Sequence, residues 1–426
     1  MSKMTLSEAN EYFETLPNRF AVTDSLKAAL PEQDSVTYIG VAGTAGKTAV
    51  ASLLAAILRA AGLRTGLYTA GWGELAGRIK VDDKPVEEAD FTVAADYLAQ
   101  RDGLPKVMAE LAAACRCFAA AKCSFAVVEM PDAGLAEVLP QMPVCAVTHI
   151  GPNGSGRSIE RLAHDAANVM RKGTICVTAP DQPKEALQEI IVTAGKYDCE
   201  LVVPDPEDIT FLEAGSKYAS RIDYGGYAVP LAFFGRHAAG NAAVAVEMAL
   251  ALWRRGYDIP DESILNGLAA VENRSSIRVL RQRPLEILDA CRTPQQAAAL
   301  VQVLQTAKLK HLNLVLGLRS REGAEELFST LETGTPPKAQ NTDRESMPGM
   351  GDGPFDHVYL VTPERVNPDI TRELAEKAKF HFDAQLCQSF REAIQAARAA
   401  GGRGIVVCGS EAAALEAEKL LGTPRQ

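Results

Sequence analysis

The chain has 426 residues, enough for about two or three domains with a sizeable buried core. Apolar residues make up 47% and charged residues 23%, the balance of an ordinary soluble protein, and the net charge of −10 argues against non-specific binding to nucleic acid or an anionic membrane surface. No apolar run approaches the roughly 20 residues that span a bilayer.

The first stretch, "MSKMTLSEANEYFETLPNRF", is polar and acidic, unlike a secretion signal, so the cytoplasm is the expected location. Residues 36–150 then alternate short apolar runs with helical patterns. The predicted strands are "SVTYIGVA", "RTGLYTA", "CSFAVVEM" and "PVCAVTHI", with helices such as "AELAAACRCFAAA" between most of them. This alternation implies βαβ units and a mostly parallel sheet. "TICVTAP", a helix and "CELVVPD" continue it through residues 174–204. Residues 211–235 carry turn glycines and short alternating runs, and predict antiparallel hairpins. A helix follows from "HAAGNAAVAVEMALALWRRG".

A second unit is expected over 281–426, after a break around "RSSIRVLRQRP". There "PLEILDA", "LNLVLGL", "HVYLVTP", "KFHFDA" and "GIVVCGS" alternate with helices, the pattern of a smaller doubly wound α/β domain. The Pro- and Gly-rich segment 333–355 predicts a disordered surface loop. The nine cysteines form no CxxC pair, and several fall inside strand-like runs, so buried or free thiols in a reducing compartment are expected rather than a zinc site.

The motif with the clearest chemistry is "GTAGKT", which ends one strand and opens a helix. Gly43 and Gly46 allow a tight turn whose N–H groups, with those of Thr44 and Ala45, point at phosphate oxygens. The helix N-terminus adds partial positive charge. Lys47 is placed to reach the outer phosphates, and the Thr48 hydroxyl to hold Mg²⁺. The loop is a variant, because Val41 stands where the strict pattern has its first glycine. A phosphate loop of this type works with a carboxylate at another strand end. Glu129, closing "FAVVEM", is the candidate.

These segments resemble folylpolyglutamate synthases and dihydrofolate synthases, of the Mur ligase superfamily. "VAGTAGKTAVASLLAAILRAAGLRTGLYTA" resembles the family's ATP-binding segment. "RIKVDDKPVEEADF", "FAVVEM", "AVTHIGPNG…SIERLAHDAANVMRKG", "FFGRHAAGNAAVAVEMAL", "GLAAVENRSSIRVL", "LEILDACRTP" and "VVCGSEAAALEAEKLL" match further family segments in the same order, over nearly the whole chain. The resemblance implies a P-loop ATPase domain over 1–280 and a Rossmann-like ligase domain over 281–426. It implies ATP and Mg²⁺ as cofactors, glutamate and a folate-like acid as small-molecule substrates, and a monomer that binds neither nucleic acid nor membrane. The expected reaction is amide formation through an acyl phosphate. By the same resemblance, Gly43 to Thr48 cradle the triphosphate and Glu129 joins Thr48 at the metal. Asn241 bonds the adenine, and Asp289 reaches the nucleotide from the second domain. His237 stands at the histidine of the family's H-Q pair, which puts it with Lys47 and Glu129 at the catalytic centre. Arg274 lies near the position of a family arginine that itself falls on Ser276.

The departures from the family cluster on chemistry. Its aspartate-histidine pair falls on Asn153 and Gly154, its metal-binding lysine on Ala166, and the histidine and asparagine of D-G-A-H-N-P on Arg292 and Thr293. S-P-H-L becomes "AGWG", Ala70 to Gly73, and Ala238 replaces the glutamine after His237. His149, His164 and Asp165 are candidate substitute ligands. Tyr68 and Trp72 could line a flat aromatic pocket, although Tyr68 fits a core strand position better. Two readings follow: a ligase with a rebuilt metal site, or a paralogue that binds ATP without ligating.

Overall fold

The computed structural model describes residues 4–17, 24–31, 35–71, 73–101, 103–139, 142–214, 219–231, 235–272, 277–335, 353–364 and 366–421. Arg274, Trp72, Ser276 and most of the segment 333–355 lie outside them.

The strands of the first sheet are β1 (Thr37–Ala42), β2 (Thr65–Tyr68), β3 (Ile79–Val81), β4 (Lys84–Pro85), β5 (Phe125–Glu129), β6 (Val144–Val147), β7 (Ile175–Thr178) and β8 (Glu200–Val202). Their spatial order is β4-β3-β2-β5-β1-β6-β7-β8. From β2 to β8 every neighbouring pair is parallel. The central strands are apolar throughout because both faces are covered. On one face Ile39, Val41, Val127, Val144 and Ala146 pack with the helices Lys47–Ala60 and Arg236–Arg254. On the other, Tyr38, Ala126, Val128, Cys145 and Val147 pack with the helix Lys106–Ala120. Two short antiparallel strands, β3 and β4, extend one edge and escape sequence reading. Runs of three and two residues are too short to carry an alternating signal.

β1 sits between β5 and β6: the chain leaves it toward β2 on the β5 side, and later passes from β5 to β6 on its other side, so the winding reverses here. In an open α/β sheet the crevice beyond the carboxyl ends of the strands at such a switch point is where ligands bind. The turn after β1, the residue ending β5 and the residues after β6 all meet there.

Strands β9 (Ile209–Ala214), β10 (Ala219–Tyr224) and β11 (Tyr227–Leu231) form the expected antiparallel sheet. The remaining strands are β12 (Arg278–Gln282), β13 (Leu285–Leu288), β14 (Leu312–Gly317), β15 (Phe355–Val361), β16 (Asp383–Cys387) and β17 (Gly404–Gly409), ordered β12-β13-β17-β14-β15-β16. Only β12 runs antiparallel to its neighbour.

Within the stretch around the expected break, Arg278–Gln282 form a half-buried edge strand of the six-stranded sheet. One sequence reading is corrected here. "KFHFDA" begins as the turn after the helix Pro368–Ala378, and the strand starts only at Asp383. Its F-H-F alternation imitates a strand period, yet Phe380 is 78% exposed. All nine cysteines are free, and all but the half-buried Cys199 are buried. Among the described residues no helix is long and apolar enough to cross a membrane.

Candidate functional site

The turn after β1 is built on two glycines with left-handed backbone, Gly43 at φ 133° and Gly46 at φ 85°. A Cβ on Gly43 would fall 2.2 Å from the Thr148 hydroxyl, and one on Gly46 would fall 2.3 Å from Oδ1 of Asn241. At both positions the positive φ and the close approach disfavour any side chain. Gly46 then starts the helix Lys47–Ala60, which has neither a side-chain cap nor an acidic residue in its first turn. Its first N–H groups and dipole are therefore open to an anion. Lys47 folds back over the turn, its Nζ donating to the Gly43 carbonyl at 3.0 Å.

Glu129, at the end of β5, is buried against this turn. Its Oε2 accepts from the Thr48 hydroxyl at 2.9 Å and from the Ala70 N–H at 3.1 Å. The loop carrying Ala70 rests on a buried ion pair: Arg78 donates through Nη2 to Oε1 of Glu110 at 2.7 Å and through Nη1 to Oε2 at 3.1 Å. The Tyr68 hydroxyl completes the network at 2.9 Å from Oε2 of Glu110. Tyr68 is thus a core residue, 1% exposed, and not the wall of a ligand pocket.

On the opposite side, past β6, the His149 carbonyl accepts from the backbone N–H of Thr44 at 3.2 Å and of Ala45 at 3.1 Å. The His149 ring lies beside Asp181, with Nδ1 3.1 Å from Oδ1 but not aligned as a hydrogen bond. Asn241 and His237 come from the start of the helix Arg236–Arg254. Nδ1 of His237 is buried with no hydrogen-bond partner, and burial lowers its imidazole to about 4, so the ring is neutral at physiological pH.

The second domain contributes Asp289, Arg292 and the first turn of the helix Pro294–Thr306. Together these parts enclose a cleft of about 760 Å³. Asp289 is buried at its edge and accepts from the Ile277 N–H at 3.1 Å. Burial raises its carboxyl to about 7, against the pull of the Ile277 and Cys291 amides. The folded protein therefore keeps a proton that the unfolded chain loses near about pH 4. Stability should fall as pH rises from there through about 7 and then level off. Asp289→Asn is expected to flatten that slope, which urea midpoints at about pH 5 and about pH 8 would measure.

The structure thus brings Thr44, Ala45, Gly46, Lys47, Thr48, Glu129, His237, Asn241 and Asp289 to one cleft, with Gly43 in its turn. Of the three substitute ligands considered, only His149 lines it. His164 pairs with Glu189 at 2.8 Å, and Asp165 with Arg157 and Arg161 at 2.9 and 3.1 Å, on the exposed face of the helix Ile159–Ala167. Asp181 and Gln295 also line the cleft and were not anticipated. Asp181 follows a strand end much as Glu129 does, a signal that sequence carries. Gln295 has no such mark.

The cradle fits a nucleoside triphosphate. Two positions of one turn favour glycine, an uncapped helix N-terminus faces the cleft, and a lysine stands over it. Among the described residues no group of three or more His, Cys, Asp or Glu side chains could hold a metal ion alone. The Thr48 hydroxyl and Glu129 carboxylate do fit Mg²⁺, which is held by one or two protein oxygens together with phosphates and water.

No family model matches the chain. It is 27% identical over 323 residues to a probable bifunctional folylpolyglutamate synthase/dihydropteroate synthase of Halobacterium salinarum, covering 69% of this chain and 38% of that relative. A similar Haloferax volcanii protein is 25% identical, with 40% of it covered, so the chain spans about two fifths of these relatives. It is 26% identical over 307 residues to the dihydrofolate synthase/folylpolyglutamate synthase of Mycobacterium tuberculosis, covering 64% of this chain and 63% of that one. In fold it matches the crystal structure of Mycobacterium tuberculosis folylpolyglutamate synthase complexed with ADP and AMPPCP, with a TM-score of 0.80 and 23% identity over 99% of both chains. The Thermotoga maritima folylpolyglutamate synthase gives a TM-score of 0.74 at 21% identity over 99% of this chain and 97% of that one. In sequence the chain is similar to folylpolyglutamate synthases and dihydrofolate synthases, and it shares the fold of the solved folylpolyglutamate synthases.

Proposed function

We propose that this chain is an ATP-dependent amide ligase that joins glutamate to a folate-like carboxylic acid, working as a cytoplasmic monomer on small molecules. The observation that carries the reading is the Thr48–Glu129 contact of 2.9 Å at the mouth of the phosphate turn, inside a cleft walled by both domains. The relatives' names supply the substrate class, and the cleft supplies a place for the chemistry.

In this reading residues 1–280 hold the nucleotide and 281–426 close over it. The N–H groups of Gly43 to Thr48 cradle the triphosphate. Lys47 leaves the Gly43 carbonyl for the outer phosphates. Asn241 faces the base, and Asp289 approaches the nucleotide from the second domain. Mg²⁺ beside Thr48 and Glu129 would offset the phosphate charge. Arg274 is a further candidate for the phosphates. An oxygen of the acceptor carboxylate attacks the γ-phosphorus and ADP leaves. The glutamate amine then displaces phosphate from the acyl carbon, forming the amide and losing a proton. The neutral His237 ring can contribute polarity, but with its imidazole lowered to about 4 it is a poor acceptor for that proton at physiological pH. Enclosure by the second domain keeps water from the acyl phosphate.

The test is phosphate release by the purified protein with Mg-ATP, glutamate and dihydropteroate or tetrahydrofolate, with Lys47→Ala as the blank. Release that needs both acceptor and glutamate, and is lost in Lys47→Ala, is the expected result. ATP binding without release under any of these conditions would replace the ligase reading with that of a nucleotide-binding protein.

A further inference from the structure

The phosphate turn touches the second domain directly. The Thr44 hydroxyl accepts from the Gly151 N–H at 2.7 Å and has one proton to give. Two acceptors lie within reach of that proton: the His149 carbonyl at 3.0 Å, and Oε1 of Gln295, across the domain boundary, at 3.2 Å. The His149 carbonyl already takes the backbone N–H groups of Thr44 and Ala45, so three donors converge on its two lone pairs. That crowding favours the bond to Gln295.

Packing at the same boundary leaves little slack. A Cβ on Gly151 would fall 2.7 Å from the Gln295 side-chain amide carbon. A Cβ on Gly323, in the second domain, would fall 2.6 Å from the Gly154 Cα. The loop after β6 thus packs closely between the phosphate turn and the second domain, backbone against backbone at Gly154 and Gly323, with Gln295 as the side chain that joins them.

We propose that Gln295 is a positioning residue that ties the phosphate turn to the second domain through Thr44, so that the two halves of the cleft keep one register. It need not touch substrate. Its effect would come from alignment, and a misplacement of about 1 Å between reacting groups is enough to cost on the order of 100-fold in rate. Only the kinetic part of this inference rests on the ligase reading. The tie itself rests on the Thr44–Gln295 hydrogen bond.

The test compares wild type, Gln295→Ala and Gln295→Glu, the last of which keeps an acceptor oxygen at the same reach. Two readouts are taken: hydrogen–deuterium exchange over residues 149–154 and 292–298 of the nucleotide-free protein, and steady-state phosphate release. In Gln295→Ala, exchange over both segments is expected to speed up several-fold, about what loss of one hydrogen bond allows. The kcat should fall about tenfold or more while the KM for ATP stays within about twofold. Gln295→Glu should recover most of the exchange protection. Unchanged exchange in Gln295→Ala would overturn the tie, and faster exchange with unchanged kcat would overturn its positioning role. If wild type releases no phosphate yet Gln295→Ala still exchanges faster, the ligase reading fails and the tie stands.

Discussion

Glu129→Gln is expected to slow acceptor-dependent phosphate release by on the order of 100- to 1,000-fold, the loss typical of one preorganised electrostatic partner in a closed site. It should also raise the Mg²⁺ concentration needed for half-maximal rate by about tenfold or more. The substitution keeps the shape of the side chain and removes only its charge. One amide oxygen can still accept from the Thr48 hydroxyl or the Ala70 N–H, which now share Oε2. The amide nitrogen, however, turns a donor toward a place built for cations. The fold should tolerate this, because the apolar residues of β5 are untouched and Glu129 sits at its end. A urea midpoint close to wild type would therefore accompany the loss of rate. A variant with wild-type rate and Mg²⁺ dependence would remove Glu129 from the metal site.

The parts of this site that sequence made legible are those whose chemistry is local. Gly43 to Thr48 announce themselves because one turn must supply the bend, the donors and the helix start within a few residues. Glu129 is legible as a carboxylate at the end of an apolar run, and the same argument applied to "ICVTAP" would have reached Asp181. Asn241, His237 and Asp289 were reached only through the family resemblance, since a helix start and a strand end carry no chemical signature alone. What stayed hidden depends on tertiary approach. The Thr44–Gln295 bond joins residues 251 apart in the chain, and nothing near Gln295 distinguishes it from the neighbouring Gln296. His164 and Asp165 looked like metal ligands by residue type, but the helix Ile159–Ala167 turns them toward Glu189, Arg157 and Arg161. In the fold, the apolar runs of the central strands were read correctly. The misreadings fell on edge elements such as β3, β4 and β16, where exposure and short length weaken the hydrophobic pattern.

The buried pair behind the site shows how far such hidden contacts matter. Glu110→Gln is expected to destabilise the protein by about 3–5 kcal/mol, because it leaves the Arg78 charge buried without its counter-charge. Both side chains are almost wholly enclosed, at 7% and 6% exposure, and Nε of Arg78 already lacks a partner. Against a total stability of about 5–15 kcal/mol for a typical domain, that loss is large enough to shift a urea midpoint severely. The expected cause is the orphaned charge and not a large net gain from the pair itself, so the triple variant Tyr68→Phe/Arg78→Met/Glu110→Leu, which also removes the hydroxyl that Glu110 accepts from, should recover most of the stability. A triple variant as unstable as Glu110→Gln would mean instead that the ion pair contributes directly. Function gives a second readout. Thr69 and Arg78 are joined by a backbone hydrogen bond of 3.2 Å at the base of the loop, and Ala70 on that loop donates to Glu129. In Glu110→Gln, under conditions where most of the protein is still folded, the loosened loop should withdraw the Ala70 N–H from Glu129 and raise the Mg²⁺ requirement. That shift would have the same direction as in Glu129→Gln but be smaller, since the carboxylate remains and only its orientation is lost.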